Sequence, residues 1–302
     1  GINREGTNYS NEGGWFNGDK IRYRNGYVER IGGWTRVSNN QVTGTPRKIF
    51  DFVTLSSQNL LFIGTEQKVF LENAGTFNDI TPIRSTVSLG TNPVNTTGGA
   101  GSGVVTITTQ AAHGAIAGDF VTLASLTTTD GITAAQLNIE HKITSVPSTT
   151  TFTIATAGSA TSGSTAGGGS SGTAAFQINV GINTTVLGAG WGAGTWGRFT
   201  WGSASGSLSG QTLRLWSADN FGEDLIFNIA DSTIYYWDAT NGTSTRAVEL
   251  ASLTGASDVP TKARKVLVSD VDRHCIAFGT NPIDSAVLDP LLIRFSSQES
   301  VV

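Results

Sequence analysis

The alternation of apolar and polar positions along the chain predicts short strands, and one arrangement of them recurs. An apolar strand, a short polar break and a second apolar strand occur at Leu60-Leu61-Phe62-Ile63-Gly64-Thr65 with Lys68-Val69-Phe70-Leu71. The same order returns at Leu225-Ile226-Phe227-Asn228 with Thr233-Ile234-Tyr235-Tyr236-Trp237, and at Cys275-Ile276-Ala277-Phe278-Gly279-Thr280 with Leu291-Leu292-Ile293-Arg294-Phe295. A lone hairpin buries little apolar surface, so a chain that repeats one is expected to stack or ring the copies, as the blades of a β-propeller do. Function is then expected in a surface shared by several copies.

A further hairpin is expected near the start. Asn25-Gly26 stands between Ile21-Arg22-Tyr23-Arg24 and Tyr27-Val28-Glu29-Arg30, and both central positions of a tight hairpin turn need positive φ. Ile21 and Tyr23 are expected to face Tyr27 or Val28 and Ile31, with Trp15 and Trp34 covering the apolar side.

Between residues 86 and 173 the composition turns to Thr, Ser, Ala and Gly, with no Trp, Tyr or Arg. Strands remain visible at 104–108, 119–123, 141–146 and 151–155, and one or two helical turns at 133–138. This stretch is expected to be an inserted small β-sandwich or barrel. The glycine-rich flanks, 98–103 and 158–172, have flexible-linker composition. The organisation expected is therefore all-β: a β-propeller-like domain of repeated hairpins over 1–85 and 174–302, interrupted at 86–173.

Gly190-Trp191-Gly192-Ala193-Gly194-Thr195-Trp196-Gly197-Arg198-Phe199-Thr200-Trp201-Gly202 spaces three indoles five residues apart. Five matches neither the helical nor the strand period, so a glycine-hinged loop planting each ring in its own pocket is expected. An aromatic platform for sugar or nucleobase is the alternative.

Composition narrows the function. The chain has 302 residues, 38% hydrophobic and 14% charged, with a net charge of −4, which is adequate for real cores and argues against general nucleic-acid binding. Basic residues gather near the start, at Lys20, Arg22, Arg24, Arg30, Arg36, Arg47 and Lys48. Their alternation with aromatics reads as the solvent face of a hairpin, with a phosphate site as the alternative. The one cysteine, Cys275, is expected to be a small buried hydrophobe. No apolar run is long enough to cross a bilayer, and no stable membrane insertion is expected. Methionine is absent even at position 1, so the sequence reads as a piece of a longer protein.

Motifs for chemistry are sparse. His113, His141 and His274 lack metal-ligand spacing, and no glycine-rich stretch has phosphate-loop form. Glu223 with Asp224, Asp270 with Asp272, and Asp284 with Asp289 are candidate acid pairs for a glycosidase. Asp130-Gly131 and Asp270-x-Asp272 are incomplete as calcium loops. The expectation is a non-enzymatic protein without cofactor or metal.

Several phrases share an order seen elsewhere. Asn3-Arg4-Glu5-Gly6-Thr7, Asp19-Lys20-Ile21-Arg22-Tyr23-Arg24-Asn25-Gly26 and Ile31-Gly32-Gly33-Trp34 come first. Trp191-Gly192 to Trp201-Gly202, Leu213-Arg214-Leu215-Trp216-Ser217-Ala218-Asp219-Asn220-Phe221-Gly222-Glu223-Asp224-Leu225, Tyr235-Tyr236-Trp237-Asp238, Val259-Pro260-Thr261-Lys262-Ala263-Arg264 and Asp272-Arg273-His274 follow. Over some 200 residues on both sides of the insert, they resemble the short-tailed-phage (podovirus) tail nozzle or hub proteins, also called packaged-DNA stabilisation proteins.

That resemblance implies a virion structural protein, assembled in the host cytoplasm as a homo-oligomeric ring, expected to be a hexamer, around the tail axis. It implies an adaptor (head-to-tail connector) protein above, tail fibres or spikes as further partners, and duplex DNA passing through the lumen without sequence-specific binding. The insert resembles the immunoglobulin-like or small β modules hung on phage structural proteins. Trp191, Trp196, Arg198 and Trp201, with Arg22 and Arg24 of the first hairpin, have the composition that stable interfaces favour and are the subunit-interface candidates. The competing readings are a carbohydrate-binding receptor or adhesin of the tail, with exposed Trp rings stacked on sugar, and a tail-associated glycan hydrolase.

Overall fold

The computed structural model describes residues 2–7, 9, 10, 12–15, 17–33, 35, 36, 38–183 and 213–302. Regular structure among them is almost wholly antiparallel strand, so the protein is all-β. The chain forms two units, Gly1–Asn39 and Asn40–Val302.

In the first unit, β1 (Ile21–Arg24) and β2 (Tyr27–Arg30) pair with Arg24 opposite Tyr27, Tyr23 opposite Val28 and Ile21 opposite Arg30. Asn25 and Gly26 take φ of 49° and 84°, the two left-handed positions that such a turn requires. No described residue of this unit is buried. Trp15, expected to cover the hairpin, is 51% exposed and forms a parallel bridge with Ile2 instead. Trp34 lies outside the described residues.

The second unit opens with a four-stranded meander, β3 (Pro46–Val53), β4 (Asn59–Thr65), β5 (Val69–Asn73) and β6 (Thr76–Asp79). The insert follows: β7 (Ile83–Gly90), β8 (Val94–Asn95), β9 (Val104–Thr108), β10 (Phe120–Ala124), helical turn α1 (Ala134–Leu137), β11 (Glu140–Ser148), β12 (Thr151–Ala155), β13 (Ala166–Gly167) and β14 (Gly172–Gln177). Its sheet runs β13-β8-β9-β12-β11-β10-β14-β7. The first half of β11 pairs with β10 and the second half with β12, so the sheet folds over between them. It encloses a core of its own that includes Val105, Ile107, Val121, Leu137, Phe152, Ile154 and Phe176. Thr133 caps α1 through a capping box with Gln136.

The glycine-rich flanks are not free linkers. Gly101 N donates to Ala160 O and Ala160 N to Ser102 O, both at 2.8 Å. The Asp130 carboxylate accepts from Ser162 N (2.9 Å), Ser162 Oγ (2.7 Å), Gly163 N (2.7 Å) and Thr96 Oγ1 (2.8 Å). Partners more than thirty residues away satisfy this backbone, which local composition does not reveal. The chain enters and leaves the insert through the paired strands β7 and β14, where Gln177 stands opposite Ile83.

Two more meanders complete the unit. One holds β15 (Trp216–Phe221), β16 (Asp224–Ile229), β17 (Ile234–Trp237) and β18 (Val248–Glu249); the other holds β19 (Ala263–Val268), β20 (Cys275–Thr280) and β21 (Asp289–Phe295). All three repeated hairpins expected from the sequence are present as β4/β5, β16/β17 and β20/β21. The sheets pack face to face. Phe52, Leu60, Phe62 and Leu71 of the first share a core with Trp216, Leu225, Phe227 and Trp237 of the second. Ile226 and Ile234, on the second sheet's other face, share another core with Val266, Cys275 and Ala277 of the third. This serial stacking is blade-like, consistent with a propeller-like layout.

Gly64 shows how closely the first two sheets approach. The Trp216 indole lies flat on it, so that an added Cβ would stand 2.6 Å from Trp216 Cδ1, and Trp216 Nε1 donates to Thr65 O at 2.9 Å. Gly64→Ala is expected to destabilise the protein by about 1–3 kcal/mol through overpacking, measured as a lowered urea midpoint at unchanged slope.

Candidate functional site

Among the described residues, four charged side chains converge where the insert meets the sheets. Lys68 sits just before β5, Asp79 ends β6, Glu140 begins β11 and Arg246 precedes β18. Lys68 Nζ donates to Asp79 Oδ2 at 2.7 Å and also to Glu140 Oε1. Arg246 closes the ring, Nη1 to Asp79 Oδ1 and Nη2 to Glu140 Oε2, each at 3.3 Å. Gln177 Nε2 donates to Glu140, and Arg246 Nη1 to Thr81 O at 2.8 Å.

The Lys68 side chain is only 6% exposed, and its ammonium lies 4.4 Å from the centre of the Phe120 ring of the insert. Burial alone would raise the Asp79 pKa, but the Lys68 and Arg246 charges and the hydrogen bonds from Lys68 and Thr81 outweigh it and hold the carboxyl below its ordinary value of 3.8. Two cations and two carboxylates alternate, so the ring is charge-balanced and offers no acid for catalysis. What it can do is fix the insert's orientation on the sheets.

A second tie lies at the insert's exit. Buried Asp119 accepts from Ile116 N (2.9 Å), Asn179 Nδ2 (2.9 Å) and Val180 N (2.7 Å). Arg214 donates to Asn179 O; burial lowers its pKa to about 10, partly opposed by nearby Tyr235, Asp119 and Glu66.

Of the interface candidates, Arg22 and Arg24 project from β1. Arg22 pairs with Glu29 across the hairpin at 2.9 Å, both side chains well exposed, and Arg24 stands opposite Tyr27, 78% exposed. Trp191, Trp196, Arg198 and Trp201 lie outside the described residues.

Several other titratable groups have structural partners. Asp224 accepts from Tyr236 Oη (2.5 Å) and Ala239 N (2.9 Å). Buried His113 stacks on Phe176, and its Nδ1 accepts from Ala115 N. His141 Nε2 donates to Leu137 O at 3.0 Å, and burial lowers its pKa. Cys275 is buried, its thiol pushed up to about 12 by burial and the nearby Asp219 charge. Hydrogen bonds from Ser162, then from Thr96 and Gly163, hold the Asp130 carboxyl well below the ordinary range. Among the described residues no three His, Cys, Asp or Glu side chains converge on a common point. No helix among them is long and apolar enough to cross a membrane.

One polar cleft of about 250 Å³ opens between the first two sheets, at the β3–β4 and β15–β16 turns. Thr54, Ser56, Gln58, Asn73, Glu223 and Thr243 line it, together with Trp237. Glu223 Oε2 accepts from Leu55 N at 3.3 Å.

No family model matches the chain, and no curated protein does. Among solved structures, the Phage phi92 endosialidase is similar at 14% identity and a TM-score of 0.25, over 84% of this chain and 36% of that one. The chain thus spans about a third of that protein's length, and a likeness this loose carries no weight for function.

Lys68→Met leaves two carboxylates against one arginine. It is expected to cost about 3 kcal/mol in urea unfolding, the low end for breaking a buried pair because Glu140 remains 30% exposed. Because the Asp79 pKa is lowered on folding, its stabilisation is complete above pH 3.8 and is lost as pH falls below that. The stability gap between wild type and Asp79→Asn should therefore narrow on acidification through this range. Asp130→Ala should lower the melting temperature, while adding calcium or a chelator to wild type should leave it unchanged.

Proposed function

We propose that this chain is a non-enzymatic structural subunit of a phage tail, a nozzle or hub component that extends the DNA channel below the portal and adaptor, helps retain packaged DNA and anchors fibres or spikes. The observation that carries this reading is the ordered set of family-like phrases on both sides of the insert, together with where those phrases fall. The phrase at 213–225 supplies β15 and the start of β16, 235–238 spans β17 and its end, 259–264 leads into β19, and 272–274 turns into β20. The phrases after the insert thus fall in the second and third of the stacked sheets.

The reading places the protein in the virion tail as a ring, six copies in number, with duplex DNA in the lumen. The net charge of −4 suits a channel that passes DNA without holding it, since phosphates are then repelled rather than bound. The insert, clamped by its charge ring, serves as a fixed projection for a neighbour or a fibre.

A second reading, a carbohydrate-binding tail protein, is favoured by the cleft around Glu223. Its hydroxyls, amides and single carboxylate are groups that bind sugars through hydrogen bonds.

Electron-microscope class averages of the protein mixed with purified portal–adaptor complex test the leading reading. Rings with a central opening of at least duplex width, about 20 Å, seated below the adaptor are expected. Failure to bind the adaptor, combined with Trp fluorescence that shifts on adding host polysaccharide and no longer does so in Glu223→Gln, would replace it with the second.

A further inference from the structure

We infer that Lys68 and Asp79 condense into an intramolecular amide, an isopeptide bond made by the chain's own side chains. The inference rests on the geometry of the charge ring and stands independently of the function proposed above.

The ring contains each part that such a condensation requires. Lys68 Nζ, the nucleophile, lies 2.7 Å from Asp79 Oδ2, an atom one bond away from the carboxyl carbon that is attacked. Holding amine and carboxyl together in this way replaces a chance encounter in solution. The other oxygen, Asp79 Oδ1, accepts from Thr81 N at 2.9 Å and from Arg246 Nη1 at 3.3 Å. These donors stand where negative charge develops as Nζ adds to Cγ, so they serve as an oxyanion hole. Glu140 Oε1 is hydrogen-bonded to the same Nζ and can accept a proton from it. The Lys68 side chain is 6% exposed and lies against the Phe120 ring, which keeps bulk water from the reacting atoms.

The atoms balance without a co-reactant. In the resting ring the ammonium and the carboxylate are paired ions. One proton passes from Nζ to Oδ2 along their hydrogen bond, and the neutral amine adds to Cγ. Glu140 takes a second proton from the nitrogen and delivers it to Oδ2, which leaves as water when the Cγ–Oδ2 bond breaks. Of the three ammonium protons, two depart in the water and one stays on the amide nitrogen. The step is not a redox reaction, and its protons are those that Lys68 carries.

Electrostatics favours the product as well. Condensation replaces a buried ion pair with a neutral amide and so removes two charges whose desolvation is costly. Arg246 and Glu140 remain paired at 3.3 Å, so what is left of the ring is still charge-balanced. The acid dependence at Asp79 is a property of the unreacted chain, because the amide does not titrate in that range.

Intact-mass measurement and peptide mapping of the full chain test this. Wild type held for days at neutral pH is expected to weigh one water less than its sequence. Trypsin should then pass over Lys68 and release residues 49–84 as a single peptide, short of one water and without fragment ions from breaks between 68 and 79. Lys68→Arg, which keeps the charge but has no amine to acylate, and Asp79→Ala should both retain the full mass. Glu140→Gln should slow the loss of water about a hundredfold, the contribution of one positioned proton carrier. The wild-type measurement does not depend on how well any variant folds. Wild type of full sequence mass with Lys68 cleaved normally overturns the inference, as does a water lost elsewhere in the map, an amide joining Lys68 to Glu140, or a loss of water that persists in Lys68→Arg.

Discussion

A small antiparallel meander has two faces and no means of covering either by itself, and the second unit depends on how that constraint is met. The second sheet is the hinge of the solution. Strand β16 sends Leu225 and Phe227 toward the first sheet and Ile226 toward the third, all fully buried. Even its polar position is used: buried Asn228 donates from Nδ2 to Ala263 O at 2.7 Å, pinning the start of β19. A strand with both faces covered reads as a continuous apolar run, which is why Leu225-Ile226-Phe227 shows no alternation. Loss of either neighbouring sheet would expose one side of that run, so the three sheets stand as a cooperative series.

The insert is attached in a different way. It has its own core, and the ring of Lys68, Asp79, Glu140 and Arg246 joins it to the sheets. A buried ion ring is a weak source of net stability, because desolvation offsets most of the attraction. Its geometry is demanding, however: each carboxylate must meet both cations. Such a ring suits holding a projecting module at a set angle better than it suits holding a fold together. That is the property a fixed mounting point needs, and it ties the clamp to the structural role proposed for the chain.

Elements governed by local pattern were legible in the sequence. The hairpins β4/β5, β16/β17 and β20/β21 follow from alternation and short polar breaks, and the Asn25-Gly26 turn from the need for positive φ. Readings that depend on distant partners were not. Residues 158–172 have linker composition, yet Asp130 anchors Ser162 and Gly163 from more than thirty positions away. Glu140 reaches Lys68 across 72 positions and Arg246 across 106. Lys68 did carry one signal, a cation set directly against the apolar run Val69-Phe70-Leu71.

Side-chain size within β20 bears on what the third sheet is for. The residues facing the second sheet are small, Cys275 and Ala277, whereas those on the outward face are large, Ile276 and Phe278. Strand β4 differs in putting its largest residue, Phe62, fully buried against the second sheet. In a free-standing body, the larger apolar groups belong inside, since the stabilisation from burial grows with area. Small residues on the inner face let the third sheet approach β15 and β16 closely, with Val266 N donating to Ser217 Oγ at 2.9 Å, while the larger ones stand on the outward face. The second sheet, covered on both sides, by contrast carries large apolar residues on both faces of β16, Leu225 and Phe227 on one and Ile226 on the other.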